Sequence, residues 1–145
     1  VESRGLGDVY KRQDYEGTYA TSTLAEDIIA HSYTYLGTPY RYGGTSYSGI
    51  DCSGFTMKVF AKFGISLPHG ASDQYALSTH VTTAERAPGD LVFFVGTYDT
   101  TGVSHVGIYV GDGMMLHCGD PIQYSNLNTS YWQSHFYAYG RPPYN

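Results

Sequence analysis

Helices first and antiparallel strands afterwards is the order the sequence predicts, an α+β domain with N-terminal helices packed on a small antiparallel sheet. Three observations carry it. Apolar residues recur at helical spacing between residues 24 and 63, short β-branched and aromatic runs replace them from residue 91, and 145 residues suit one domain of ordinary size.

The first helix is expected over Thr21 to Leu36, where Leu24, Ile28, Tyr35 and Leu36 fall near one face. Thr23 and Glu26 have the spacing of a capping box, and Gly37 and Pro39 end the segment. Gly37 to Gly49 mixes Gly and Pro with Tyr, Ser and Thr and reads as a loop. A second helix follows over Ser53 to Phe63, with Phe55, Val59 and Phe63 at four-residue steps and Gly64 as its stop. Asp51 is a good N-cap, so Cys52 lies in the first turn. Ser72 to Thr79 is expected as a third, shorter helix, and Ala87-Pro88-Gly89-Asp90 as a turn. Strands are then expected at Leu91 to Val95, Ser104 to Val110, Met114 to Cys118 and Phe136 to Gly140. The opening VESRGLGDVYKRQ lacks hydrophobic periodicity and reads as a vector or assembly remnant; residues 1–20 are expected as a disordered tag or linker and 21–145 as the domain.

Composition narrows the function. Thirteen acidic against 8 basic residues give a formal charge of −5, the wrong sign for a surface that collects phosphates, so nucleic acid is not expected as a partner. No apolar run is long enough to span a bilayer. Charged residues are only 14%, below the roughly 25% usual in soluble domains, and 16 Tyr and 18 Gly take their place, which predicts a tyrosine-lined, loop-rich surface. Two cysteines are too few for a disulfide framework.

The residues that carry chemistry are Cys52, His105 and His117. A helix N-terminus presents unsatisfied N–H groups that favour a thiolate at Cys52, and an imidazole near the sulfur would complete a nucleophile and base pair. SHVGIYVGDGMMLHC reads as a hairpin with a three-residue loop Gly111-Asp112-Gly113, placing Val110 opposite Met114. His117 then lies opposite Gly107 with His105 diagonal on the same face, whereas a two-residue turn would separate the histidines. Cys118 points to the other face. The three groups also have the chemistry of a zinc site, but without C-x-x-C or H-x-x-x-H spacing no metal is expected.

Five segments resemble those of the NlpC/P60 family of cell-wall cysteine peptidases, in the family's order: Pro39-Tyr40-Arg41-Tyr42-Gly43-Gly44, Gly49-Ile50-Asp51-Cys52-Ser53-Gly54-Phe55, Leu67-Pro68, Pro88-Gly89-Asp90-Leu91, and Ser104-His105-Val106-Gly107-Ile108-Tyr109-Val110-Gly111. The resemblance runs from about Leu24 to Arg141. With Tyr98-Asp99-Thr100 and His117-Cys118-Gly119-Asp120-Pro121, the chain is similar to the peptidase half of two-domain wall hydrolases of Gram-positive conjugative elements, whose other half is an upstream muramidase. The resemblance implies a papain-like fold with Cys52 as nucleophile, His105 as general base and acid, and His117 orienting His105. It further implies Tyr42 near the oxyanion and Asp51 and Ser53 as substrate contacts. The implied substrate is peptidoglycan, cut between D-γ-glutamyl and a diamino acid, meso-diaminopimelate or L-lysine, of stem peptides, with no cofactor, by a secreted or wall-associated protein. His69 stands where Arg is expected, and Cys118 where Ala or Ser is commoner. An N-acetylmuramoyl-L-alanine amidase or acyltransferase using the same Cys/His pair, and a non-catalytic wall-binding module, remain as alternatives.

Overall fold

Thr23 accepts a hydrogen bond from the Glu26 N–H at 3.1 Å, and the Glu26 carboxylate accepts the Thr23 N–H at 2.9 Å. This reciprocal capping box starts α1 (Leu24–Tyr33) in the computed structural model, which describes residues 23–143. The expected remnant at residues 1–20 lies outside the described residues. Helix α1 ends a turn earlier than its periodicity predicts. Thr34 caps it and Gly37 turns at φ 85°, so Tyr35 still folds inward while Leu36 is 47% exposed.

The next loop holds a two-strand hairpin, β1 (Thr45–Ser46) with β2 (Gly49–Ile50), short enough to be missed by alternation. Asp51 then caps α2 (Cys52–Ala61) by accepting the Gly54 N–H at 2.7 Å. Phe55 and Val59 of α2 are fully buried, as their spacing predicts, with Phe60 beside them; Phe63, the expected third step, lies past the helix end and is half-buried, and Gly64 at φ 79° turns the chain. The third helix is α3 (Ala71–Leu77), followed by β3 (Thr79–Val81). The Pro88-Gly89 turn closes on Asp90: its N–H donates to the Ala87 carbonyl at 3.0 Å, and its carboxylate accepts the Ala87 N–H at 2.7 Å.

Five more strands complete the sheet: β4 (Leu91–Val95), β5 (Val103–Gly111), β6 (Met114–Cys118), β7 (Ile122–Asn126) and, after the short α4 (Ser130–His135), β8 (Phe136–Arg141). The order is β3-β8-β4-β5-β6-β7, antiparallel throughout. One face carries Leu91, Phe93, Val106, Ile108, Leu116 and Cys118 and packs with Phe55, Val59 and Phe60 of α2. The other carries Val92, Phe94, Tyr109, Met115 and Tyr139 and is covered by Trp132 of α4 and Leu127.

The β5–β6 turn differs from expectation in an instructive way. Gly111 pairs with Met114, so the turn has only two central residues, Asp112 and Gly113, both at positive φ (55° and 73°). A register shift between Tyr109 and Gly111 absorbs Val110 as an extra residue. The bulge restores the parity that the tight turn would have broken, and Gly107 faces His117 as predicted.

Gln74 fixes the start of α2. It is fully buried, accepts the Thr56 hydroxyl at 2.6 Å, and donates Nε2–H to the carbonyls of Ser53 (3.0 Å) and Pro68 (2.8 Å). One amide therefore ties the first turn of α2 to α3 and to the loop between them. Gln74→Leu removes these bonds while keeping the volume, and is expected to lower the unfolding free energy by about 2–3 kcal/mol, read by urea denaturation.

Candidate active site

Cys52 enters the site because Asp51 holds the α2 N-terminus from several sides. The Asp51 carboxylate accepts Gly54 N–H and the His69 Nε2–H (2.9 Å) on Oδ1, and Gly43 N–H (2.9 Å) on Oδ2. It joins the loop carrying Tyr42, the helix carrying Cys52 and the segment before α3. The backbone N–H groups of Val106, Ser53 and Cys52 act on the Cys52 sulfur in the direction that favours its anion.

The histidines sit where the register puts them. His105 is opposite Phe94 on β4, and His117 is opposite Gly107 on β5. Their rings meet edge to face, with His105 Nε2 2.9 Å from His117 Nδ1. Gly107 makes this approach feasible, since a Cβ there would lie 3.0 Å from His117 Cβ and 2.9 Å from Met115 Sδ. Trp132 stacks on His105 (centroids 5.5 Å apart, 22° between planes) and meets His117 edge-on at 5.0 Å. Composition offered no sign of this role for the sole tryptophan.

Cys52, His105 and His117 line one cleft of about 1130 Å³, together with Tyr42, Asp51 and Ser53. Tyr42 is 86% exposed at the rim, whereas Ser53 is buried. Cys118 also borders the cleft, but its thiol donates to the Ile50 carbonyl at 3.2 Å on the helix-packed face. The lining includes exposed tyrosines at 40, 98 and 131 and, among the described residues, no Lys or Arg. Asp51 is its one carboxylate, turned inward to its own chain's donors. Among the described residues no group of three or more His, Cys, Asp or Glu is placed to hold a metal ion.

Burial dominates the electrostatics. It raises the Cys52 thiol to about 11, with the neighbouring Asp51 charge adding to the rise, and the backbone donors offset only part of it. Burial lowers His105 to about 3, helped by His117, and His117 to about 4. At rest the three groups are uncharged. The helix N-terminus alone predicted a thiolate; desolvation outweighs it, so the proton leaves sulfur only as it is passed to a base.

A thiol at a helix tip sharing a cleft with a sheet-borne imidazole pair defines a papain-like α+β domain. The profile of the NlpC/P60 family matches residues 37–141, and the chain belongs to that family. It is 43% identical over 118 residues to the bifunctional muramidase/DL-endopeptidase CwlT of Bacillus subtilis, covering 80% of this chain and 36% of that protein. It is 38% identical over 120 residues to the gamma-D-glutamyl-L-lysine dipeptidyl-peptidase of the same organism, covering 81% and 40%. The crystal structure of a lipoprotein-like NLP/P60 family protein of Staphylococcus aureus superposes with a TM-score of 0.81 at 38% identity, covering 91% of this chain and 45% of that one. The chain thus spans well under half the length of these curated relatives.

The histidines impose a pH dependence on folding. Unfolded, both rings take up protons below their ordinary value of 6.5; folded, they stay neutral down to about 4 and about 3. The unfolded state binds more protons in that window, so stability falls as the pH drops from 6.5, by roughly 2 kcal/mol per ring at pH 5. The thermal midpoint should drop between pH 7 and pH 5, and His117→Asn should reduce the size of that drop.

Proposed function

We propose that this domain is a peptidoglycan hydrolase, a cysteine endopeptidase that cuts stem peptides between D-γ-glutamyl and a diamino acid. The observation that carries the reading is the cleft shared by Cys52, at the N-terminus of α2, and the hydrogen-bonded His105–His117 pair. The relatives named for DL-endopeptidase and gamma-D-glutamyl-L-lysine activity support the bond.

The chemistry follows from the atoms available. With His105 Nε2 engaged by His117, Nδ1 is the atom left to take the Cys52 proton as Sγ attacks the γ-glutamyl carbonyl. The tetrahedral oxyanion draws on the Cys52 N–H at the helix terminus, with the Tyr42 hydroxyl approaching from the rim. His105 then returns the proton to the departing amine of the diamino acid, leaving an acyl-enzyme. Water attacks the thioester, giving its proton to His105, and the glutamyl carboxylate leaves as the thiol re-forms. His117 orients His105, Asp51 holds Tyr42's loop against the nucleophile's helix, and Ser53 supplies backbone beside the sulfur. This chemistry calls for no metal or organic cofactor.

The substrate places the protein outside the cytoplasmic membrane, in or on the wall, and among the described residues no helix is long and apolar enough to cross a membrane. A muramidase partner domain, as the name of the bifunctional relative suggests, belongs to the same proposal, and so, on the resemblance of the sequence motifs, does a Gram-positive conjugative element as the source.

Digestion of defined muropeptides, read by mass spectrometry, tests bond and nucleophile together. The parent should release a fragment with a new free amine on the diamino acid, and Cys52→Ser should lose on the order of 10³-fold or more in rate. Cleavage of the muramoyl–alanine linkage would make the protein an amidase. No cleavage under reducing conditions, with Cys52→Ala binding wall fragments as the parent does, would make it a binding module.

Gly107→Ala pushes a methyl group against the His117 side chain. Turnover is expected to fall by about 10²-fold, for about 1–3 kcal/mol of stability, as measured by steady-state kinetics beside thermal unfolding.

A further inference from the structure

His117 is almost wholly buried, and each of its ring nitrogens meets one hydrogen-bonding atom. Nδ1 lies 2.9 Å from His105 Nε2, and Nε2 lies 2.8 Å from Ser125 Oγ. Ser125 belongs to β7, paired with Met115 of β6, so the alternation of the strand turns it to the same face as His117. Trp132 packs on both imidazoles and holds the rings in place.

We propose that Ser125 is a positioning residue for the reaction: its hydroxyl accepts the Nε2–H of His117 and so holds His117 in the tautomer whose Nδ1 accepts from His105. The proposal rests on the assignment of His105 as general base.

An imidazole, unlike an amide, can carry its proton on either nitrogen, so the distances admit two proton arrangements. In the first, His105 Nε2–H donates to His117 Nδ1 and His117 Nε2–H donates to Ser125. His105 Nδ1 is then bare and can take the thiol proton. In the second, the Ser125 hydroxyl donates to His117 Nε2, His117 Nδ1–H donates to His105 Nε2, and His105 carries its proton on Nδ1. That nitrogen is then a donor and cannot act as base.

The intermediate sharpens the difference. Once His105 holds both protons, its Nε2–H needs an acceptor at 2.9 Å. The first arrangement supplies one; the second sets two N–H groups against each other. Ser125 is the group in hydrogen-bonding reach of Nε2: its hydroxyl supplies the acceptor that the buried Nε2–H of the first arrangement needs, and losing it leaves that arrangement, not the second, with an unsatisfied N–H.

The test compares the parent, Ser125→Ala and Ser125→Thr in muropeptide kinetics, thermal unfolding and ¹⁵N spectra of the histidine rings at neutral pH. Ser125→Ala should lower kcat by about 10- to 100-fold with KM within about twofold. Ser125→Thr, which keeps the hydroxyl, should recover most of the rate. The His117 spectrum should move from the Nε2–H form to a mixture in Ser125→Ala alone. A kcat for Ser125→Ala within twofold of the parent overturns the proposal, as does a loss that follows the thermal midpoint and is not recovered by threonine. Should the parent cleave nothing while remaining folded, the peptidase reading fails by itself. The nitrogen spectra then decide the placement of the proton: an unchanged His117 in Ser125→Ala overturns the proposal, and a changed one supports it.

Discussion

Parity across one pair of strands governs this site. Side chains alternate along β5 and β6, so a shift of one residue would send His117 to the face packed against α2 and Cys118 to the face of His105. The tight Asp112-Gly113 turn would impose that shift if the ladder ran unbroken. The bulge at Val110 takes up the difference, and only with it do the two rings meet across Gly107. Burial of Leu116 and Cys118 against the helices reinforces the register, because slippage would bring the imidazole of His117 into that apolar layer.

The helix tip is fixed by different means. Cys52 is a free thiol, and two small polar hubs hold its helix tip in place. Asp51 collects donors from three segments, and Gln74 closes the first turn of α2 from behind. Both keep backbone groups satisfied where the chain changes direction. Burial withdraws water from the thiol and, under Trp132, from the imidazoles, which is why all three rest uncharged.

Much of this architecture is legible in the residues. The capping box at Thr23 and Glu26, the N-cap at Asp51, and the strands Leu91–Val95 and Met114–Cys118 have strong local signals and fall where those signals put them. What is hidden depends on tertiary contact. β3 is only three residues long and β7 reads Ile-Gln-Tyr-Ser-Asn, with one β-branched residue, so pairing with neighbours and not propensity makes them strands. Ser125 was invisible for that reason, although a third strand after Met114–Cys118 would have placed it beside His117. Trp132 lies on a six-residue helix with no buried face of its own, and its stacking on His105 follows from where α4 crosses the sheet. The bulge is unreadable because Val110 is an ordinary strand residue. The hairpin expectation reached the right facing residues through the wrong turn.

The makeup of the cleft wall bears on how such a molecule finds its target. Among the described residues its one carboxylate is occupied by donors of its own chain, its buried imidazoles His105 and His117 are neutral, and neither ammonium nor guanidinium borders it. Such a wall focuses little field of its own, so the cleft adds little long-range steering to the encounter with a ligand. Selectivity then falls to close-range ring contacts and hydrogen bonds from the tyrosines at the cleft's edge.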